Sequence, residues 1–357
     1  MRLPLIPLLL ALALPGAHAT PSPTPVKGID FTHEDWTLAC DNTRTCRAAG
    51  YQNEDAGDDP LSVLLTRKGG PNQPFTAELM LGDYEEGDLP TKVTLRINGA
   101  TLGEVEGSTH FSHAQVSALL KALVRDSRIE FIGDNGRRFA LSDRGASAVL
   151  LKMDEFQGRV DTPGAVIRKG NRAESTVLPA LPVPVVTVPK AVATRPDDDA
   201  LANAPALRTA LAAVTSQDDC ESLHPIEGTY ADEEPQSIAV KRLDAKKLLV
   251  SMTCWRGAYN AGSGYWVVND HAPYQPVYVT NLGVDDDAVT ITSAHKGRGL
   301  GDCWSTASWA WNGREFVQTD DATTGLCRLV AAGGAWQMPT LVSEVRDATG
   351  NVLQAAD

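Results

Sequence analysis

Six cysteines constrain this chain more than any other feature. Cys40 and Cys46 lie six residues apart, and a gap of some 170 residues separates them from Cys220, Cys254, Cys303 and Cys327. An even set in an oxidising compartment reads as disulfides, although six cysteines allow about 15 connectivities. Local pairing predicts Cys40–Cys46, Cys220–Cys254 and Cys303–Cys327. Loop-closure entropy gives these roughly 2.3, 3.8 and 3.5 kcal/mol. There is no CxxC and no Cys/His spacing suited to zinc, which argues against thioredoxin-like chemistry and a structural metal.

The start of the chain supplies the oxidising setting. Arg2 precedes a nearly continuous apolar run from Leu3 to Leu14, a Pro15-Gly16 break and the small-x-small triplet Ala17-His18-Ala19. That is the pattern of a cleaved secretory leader. The expectation is a leader over 1–19, a flexible start over 20–25, and a periplasmic or secreted protein with no membrane span, since no later run reaches ~18 apolar residues. Loss of Arg2 takes the formal charge from −13 to −14. Such an acidic surface repels nucleic acid and anionic lipid, and favours basic partners where charge matters.

A chain of 357 residues exceeds the usual single domain. Residues 162–205 carry seven prolines and no aromatic residue. Proline fixes φ and removes donors, so this stretch reads either as a stiff spacer or as a connector pressed along one surface. Residues 26–160 then form an α+β domain, 161–205 a proline-rich linker and 206–357 an antiparallel β domain, sandwich or barrel, tied by two disulfides. In the first half, Leu61–Gly69, Ala77–Tyr84 and Lys92–Gly99 read as strands. Ser112 and Gln115 form a capping box before a helix with Val116, Leu119, Leu120, Leu123 and Val124 on its apolar face. Arg128–Asp143 reads as two strands about a two-residue Asn135-Gly136 turn, and a second helix starts at Ser142 or Asp143. In the second half, a short helix near 205–214 precedes strands within 237–255, 264–270, 276–283, 288–296 and 307–321.

The stretch "KGRGLGDCWSTASWAWNGREF" (Lys296–Phe316) holds a GxGxG frame, a cysteine and three tryptophans. A phosphate loop needs its glycines between a strand and a helix. Here a tryptophan hairpin follows, so the reading is a disulfide-tied hairpin whose glycines let the backbone turn into Cys303. Six of the seven tryptophans fall in the second half. Such rings fill a core or, if exposed, bind sugar rings or an apolar partner surface. The candidate contact residues are Trp255, Tyr259, Tyr265, Trp304, Trp309 and Trp311.

Other chemistry is weakly marked. His110 and His113 flank a helix start and would not share a helical face. Asp197–Asp199 and Asp285–Asp287 lack the pattern of a calcium loop and read as helix-end charge and turn residues. Ser263, in "AGSGY", lacks a full nucleophile elbow, and Glu85-Glu86 falls in a turn-like run. No catalytic residue, cofactor or metal is expected.

On "WTLACDNTRTCRAAGY", "LSVLLTRKGGPNQPFTAELMLGDY" and "GRGLGDCWSTASWAWNGREF", the chain resembles a bacterial exported family known as domain-of-unknown-function family 1176, which implies a periplasmic setting and no established activity. The first half is also loosely similar to the invasion-associated locus B proteins, from which "LSDRGA" departs at Asp143 and Ala146. That likeness implies a shared β-rich fold. The expected role is a monomeric, non-enzymatic envelope protein that binds a glycan or a protein. The alternatives are an inhibitor of a basic enzyme such as lysozyme, or a hydrolase with its site between the halves.

Overall fold

The computed structural model describes residues 26–56, 59–82, 88–107, 109–224 and 236–354. The expected leader, residues 20–25 and the Glu85-Glu86 pair lie outside the described residues. The protein is β-rich, with several antiparallel sheets, three disulfides and, among the described residues, four α-helices. The disulfides join Cys40–Cys46, Cys220–Cys254 and Cys303–Cys327, as local pairing predicts.

The first half begins with an antiparallel meander of β1 (Ile29–His33), β2 (Trp36–Cys40), β3 (Cys46–Tyr51), β4 (Leu61–Arg67) and β5 (Phe75–Leu81). A second sheet holds β6 (Val93–Ile97), β7 (Ala100–Glu104), β8 (Ile129–Gly133) and β9 (Arg138–Leu141) in the order β7-β6-β8-β9. Two helices, α1 (His113–Leu123) and α2 (Ala146–Phe156), pack on these sheets. Ser112 caps α1 in the expected box with Gln115. α2 starts later than expected, because Ser142 is engaged elsewhere: its hydroxyl donates to Asp35 at 2.6 Å and its carbonyl accepts from Trp36 Nε1 at 2.8 Å. Gly145, with φ of 91°, caps α2 instead, pressed against the His33 carbonyl where a side chain would collide.

The Asn-Gly pairs make three different turns. Asn98 and Gly99 both have positive φ and close a two-residue hairpin. At Asn135-Gly136 only the glycine is left-handed, and the Gly133 amide pairs with the Arg137 carbonyl, so the loop is longer than expected. At Asn312-Gly313 the Asn312 side chain accepts from the Arg314 and Glu315 amides, each at 2.9 Å, and Trp311 pairs with Phe316 across a four-residue loop.

In the second half, β11 (Ala239–Arg242), β12 (Lys247–Arg256), β13 (Ala261–Asn269) and β14 (Val277–Gly283) form one meander. Another contains β15 (Asp285–Asp286), β16 (Thr290–Lys296), β17 (Trp304–Trp311), β18 (Phe316–Thr323) and β19 (Met338–Leu341). Successive strand residues face opposite ways, and both faces of the β11–β14 sheet are covered. Leu249, Tyr265 and Val267 meet Ile291, Trp309 and Trp311 of the other meander. Leu248, Val250, Cys254 and Trp266 meet Leu207 and Leu211 of a helix over Pro205–Ala212.

The same alternation joins the halves. Trp36, Leu38, Cys40 and Ala48 face the helices of the first half. Ala39, Ala49, Tyr51 and Leu64 face Val330, Ala335 and Met338 of the second. The seam is sealed by hydrogen bonds: Asn42 Nδ2 donates to the Val342 carbonyl at 3.0 Å, and Asn42 Oδ1 accepts from its amide at 2.8 Å. The Leu326 amide donates to the Tyr51 hydroxyl at 3.1 Å, and Trp336 Nε1 donates to Ser62 at 2.7 Å.

The proline-rich stretch lies along both halves as a strap. Just ahead of it, Arg159, fully buried, donates to the carbonyls of Lys68 and Gly70 at 3.0 and 2.7 Å. Leu181 donates to the Thr43 carbonyl at 3.1 Å. β10 (Val185–Val188) then pairs in parallel with β20 (Glu344–Asp347), which also carries β21 (Val352–Gln354). Asp197–Asp199 lie inside a helical turn over Pro196–Leu201, not ahead of it. There Asp198 is buried, accepting from Arg242 Nε at 2.8 Å and from its Nη2.

Candidate binding surface

The six nominated aromatic residues separate into core and surface. Tyr265, Trp309 and Trp311 are only 2, 9 and 1% exposed and belong to the core between the two meanders. They cannot serve as contact surface, because sheet-on-sheet packing covers their faces. The Tyr265 hydroxyl donates to Asp286 at 3.3 Å, and burial with that carboxylate pushes its pKa up. Trp255 is half-buried: its Nε1 donates to the Asn281 carbonyl at 2.9 Å and its ring lies 5.3 Å from that of His295. Tyr259 is 48% exposed, and Trp304, like Trp255, is half-buried.

Tyr259 and Trp304 flank one braced loop. Tyr259 belongs to the turn between β12 and β13, and residues 297–303 connect β16 to β17. Asn260 ties these two ends: its Nδ2 donates to the Lys296 carbonyl at 2.9 Å, and its Oδ1 accepts from the Lys296 amide at 3.0 Å. The Tyr259 hydroxyl reaches the Gly297 carbonyl at 3.5 Å. Inside the loop, Arg298 grips Asp302 with two hydrogen bonds of 2.8 and 2.6 Å, and the Leu329 amide donates to the same carboxylate at 2.8 Å. Burial pushes the Asp302 carboxyl up, but these donors outweigh it and hold it below the ordinary range. Gly297 is required by close approach, since a Cβ there would lie 2.6 Å from Cys303 Sγ. Gly301 takes a φ of 73°. The glycine frame is thus a turn into a disulfide, as its sequence context implies.

The outer side of this loop carries the surface. Trp304 Nε1 donates to the Gly301 carbonyl at 3.0 Å, and Lys296 Nζ lies 5.5 Å from the centre of its ring. Leu300, 57% exposed, stands at the loop tip. Lys296, Leu300 and Arg298 are contributions that aromatic counting misses; their place in the GxGxG loop was the signal available. A ring beside a cation suits a polar, ring-containing ligand.

The components of other chemistries are engaged elsewhere. Asp302, Cys303 and Cys327 cluster closely, but both sulfurs form the disulfide and the carboxylate is taken by Arg298 and Leu329. Asp287 accepts from Val289 and Thr290 within its own turn, and Asp286 pairs with Lys241 at 2.6 Å. Exposed His271 pairs with Asp270 at 2.8 Å, and the His110 ring meets Thr109 at 2.7 Å. Among the described residues no serine hydroxyl is hydrogen-bonded to a histidine, and no helix is long and apolar enough to cross a membrane.

Residues 30–343 match the family described as protein of unknown function (DUF1176). The chain belongs to that family. It is 25% identical over 345 residues to the uncharacterized protein YpfG of Escherichia coli (strain K12), a match covering 86% of this chain and 90% of the relative. No solved structure matches the chain. Neither description names an activity.

Proposed function

We propose that the protein is an exported envelope binding protein that takes a cell-wall glycan on the rim formed by Tyr259, Lys296, Leu300 and Trp304. The observation that carries this reading is the exposure of Tyr259 and the half-buried ring of Trp304 on either side of one disulfide-anchored, hydrogen-bonded loop. A pre-ordered loop lowers the entropic cost of binding, and flat rings beside a cationic donor suit the faces and hydroxyls of a sugar. Three disulfides support an oxidising compartment, in keeping with the leader-like start. The looser likeness of the first half to invasion-associated locus B proteins bears on fold and supports no role in host invasion.

Calorimetric titration with a panel of cell-wall glycan fragments tests the reading. Binding is expected, weakened roughly tenfold by Tyr259→Ala or Trp304→Ala, the loss typical of a truncated aromatic anchor. Absence of heat across the whole panel, or variants that bind as tightly as the parent, would overturn it.

A further inference from the structure

A second groove lies in the first half, well separated in sequence from the aromatic rim. It runs between α1 and the 163–169 segment and has a volume of about 490 Å³, within the range of small-molecule sites. Its composition opposes that of the molecule. The whole chain carries a formal charge of −13, yet the groove is lined by Arg67, His113, Lys121, Arg125 and Lys169 and by no acidic side chain among the described residues. Arg67 is committed to the framework, donating to the Gln73 and Gly164 carbonyls at 3.0 and 2.8 Å. Lys121, Arg125 and Lys169 are exposed, and no ion pair holds any of them among the described residues.

The floor supplies an independent observation. The apolar stripe of α1 is wider than the core beneath it. Val116, Leu119 and Leu123 are buried, but Leu120 and Val124 stay half-buried and line the groove beside Phe75 and Val166. Lys121 lies in the last turn of α1 and Arg125 just past its end, so cations border an apolar track, from Val116 to Val124, about 12 Å long. Neither a free inorganic anion nor a neutral hydrocarbon uses both features.

We propose that this groove binds an anionic amphiphile, an acyl chain lying along α1 with its acidic head among Lys121, Arg125 and Lys169. Long-range repulsion from the acidic molecule disfavours an extended anionic surface here, whereas a single head group meets only the local cations. The site is distinct from the aromatic rim, so either can fail without the other.

Calorimetry on the full mature chain provides the test, with laurate below its micellar concentration, inorganic phosphate and uncharged dodecyl maltoside as probes. Laurate is expected to bind with one-to-one stoichiometry, and phosphate and the maltoside at least about tenfold more weakly. The double variant Lys121→Glu/Arg125→Glu, and separately Lys169→Glu on the opposite wall, should each lower laurate affinity by about tenfold with melting temperature unchanged. Tyr259→Ala should leave laurate binding intact. No laurate binding overturns the proposal. So does equal binding of phosphate or the maltoside, or full affinity in the folded charge-reversal variants.

Discussion

The two halves of this protein bury their sheets by different means, and the difference decides where apolar and aromatic surface remains open. In the first half, helices α1 and α2 cover the sheets, and aliphatic side chains with Phe131 and Phe139 fill the core around the one tryptophan, Trp36. In the second half, sheet meets sheet on one face of β11–β14 and a short helix covers the other, and large rings such as Trp309, Trp311, Tyr265 and Trp266 occupy the space. Helix covering leaves a groove along the helix edge, where Leu120 and Val124 are half-buried. Sheet packing leaves rings at strand ends, where Tyr259 and Trp304 meet solvent. Apolar residues of one type therefore serve as core or surface according to where the covering element ends.

This contrast can be broken most severely at a buried ring. Trp266→Ala removes a fully buried side chain whose Nε1 donates to Thr215 at 2.9 Å, and should cost about 3–5 kcal/mol in denaturant unfolding. Trp304→Ala should cost about 1 kcal/mol or less; equal losses would erase the distinction between core and rim. Next in size, Arg242→Ala strands the buried Asp198 carboxylate and should cost about 3 kcal/mol. The hydrogen bonds from Arg242 hold Asp198 below its ordinary pKa. Its contribution is therefore present above the unfolded value, near 3.9, and lost as pH falls through the lower folded value. Asp198→Asn should flatten the acid limb of a stability–pH curve.

The seam gives a smaller effect. Tyr51→Phe removes the acceptor for the Leu326 amide and should cost about 1 kcal/mol. Burial pushes Tyr51 up to about 12, so its contribution is intact below the unfolded value near 10 and declines as pH rises from there toward 12. The phenylalanine variant should lose stability less steeply over that window. Smallest of all, Tyr259→Ala should change stability by no more than about 0.5 kcal/mol, so any loss of glycan binding there is not a folding defect.

Local signals were legible where they rest on short-range chemistry. The Ser112–Gln115 box, the strands between turn residues and the disulfide pairing follow from neighbours in the chain. The seam was not, since Ala39, Ala48 and Ala49 are small apolar residues whose sequence does not mark which face meets which partner. Nothing in the sequence marks Arg159 and Arg242 as buried, because their partners lie on distant segments. The binding surface was half legible: ring type is visible in a sequence, but Tyr265, Trp309 and Trp311 differ from Tyr259 only through a covering sheet some 20 to 50 residues away.

Tryptophan emission during titration with cell-wall glycan fragments, in the parent and in Trp304→Phe, addresses the central claim directly. A quench or shift in the parent that falls sharply in the variant, with the other six tryptophans retained, is the predicted result. A glycan signal of equal size in both proteins, or none from any fragment, would contradict the assignment of the rim as the binding surface.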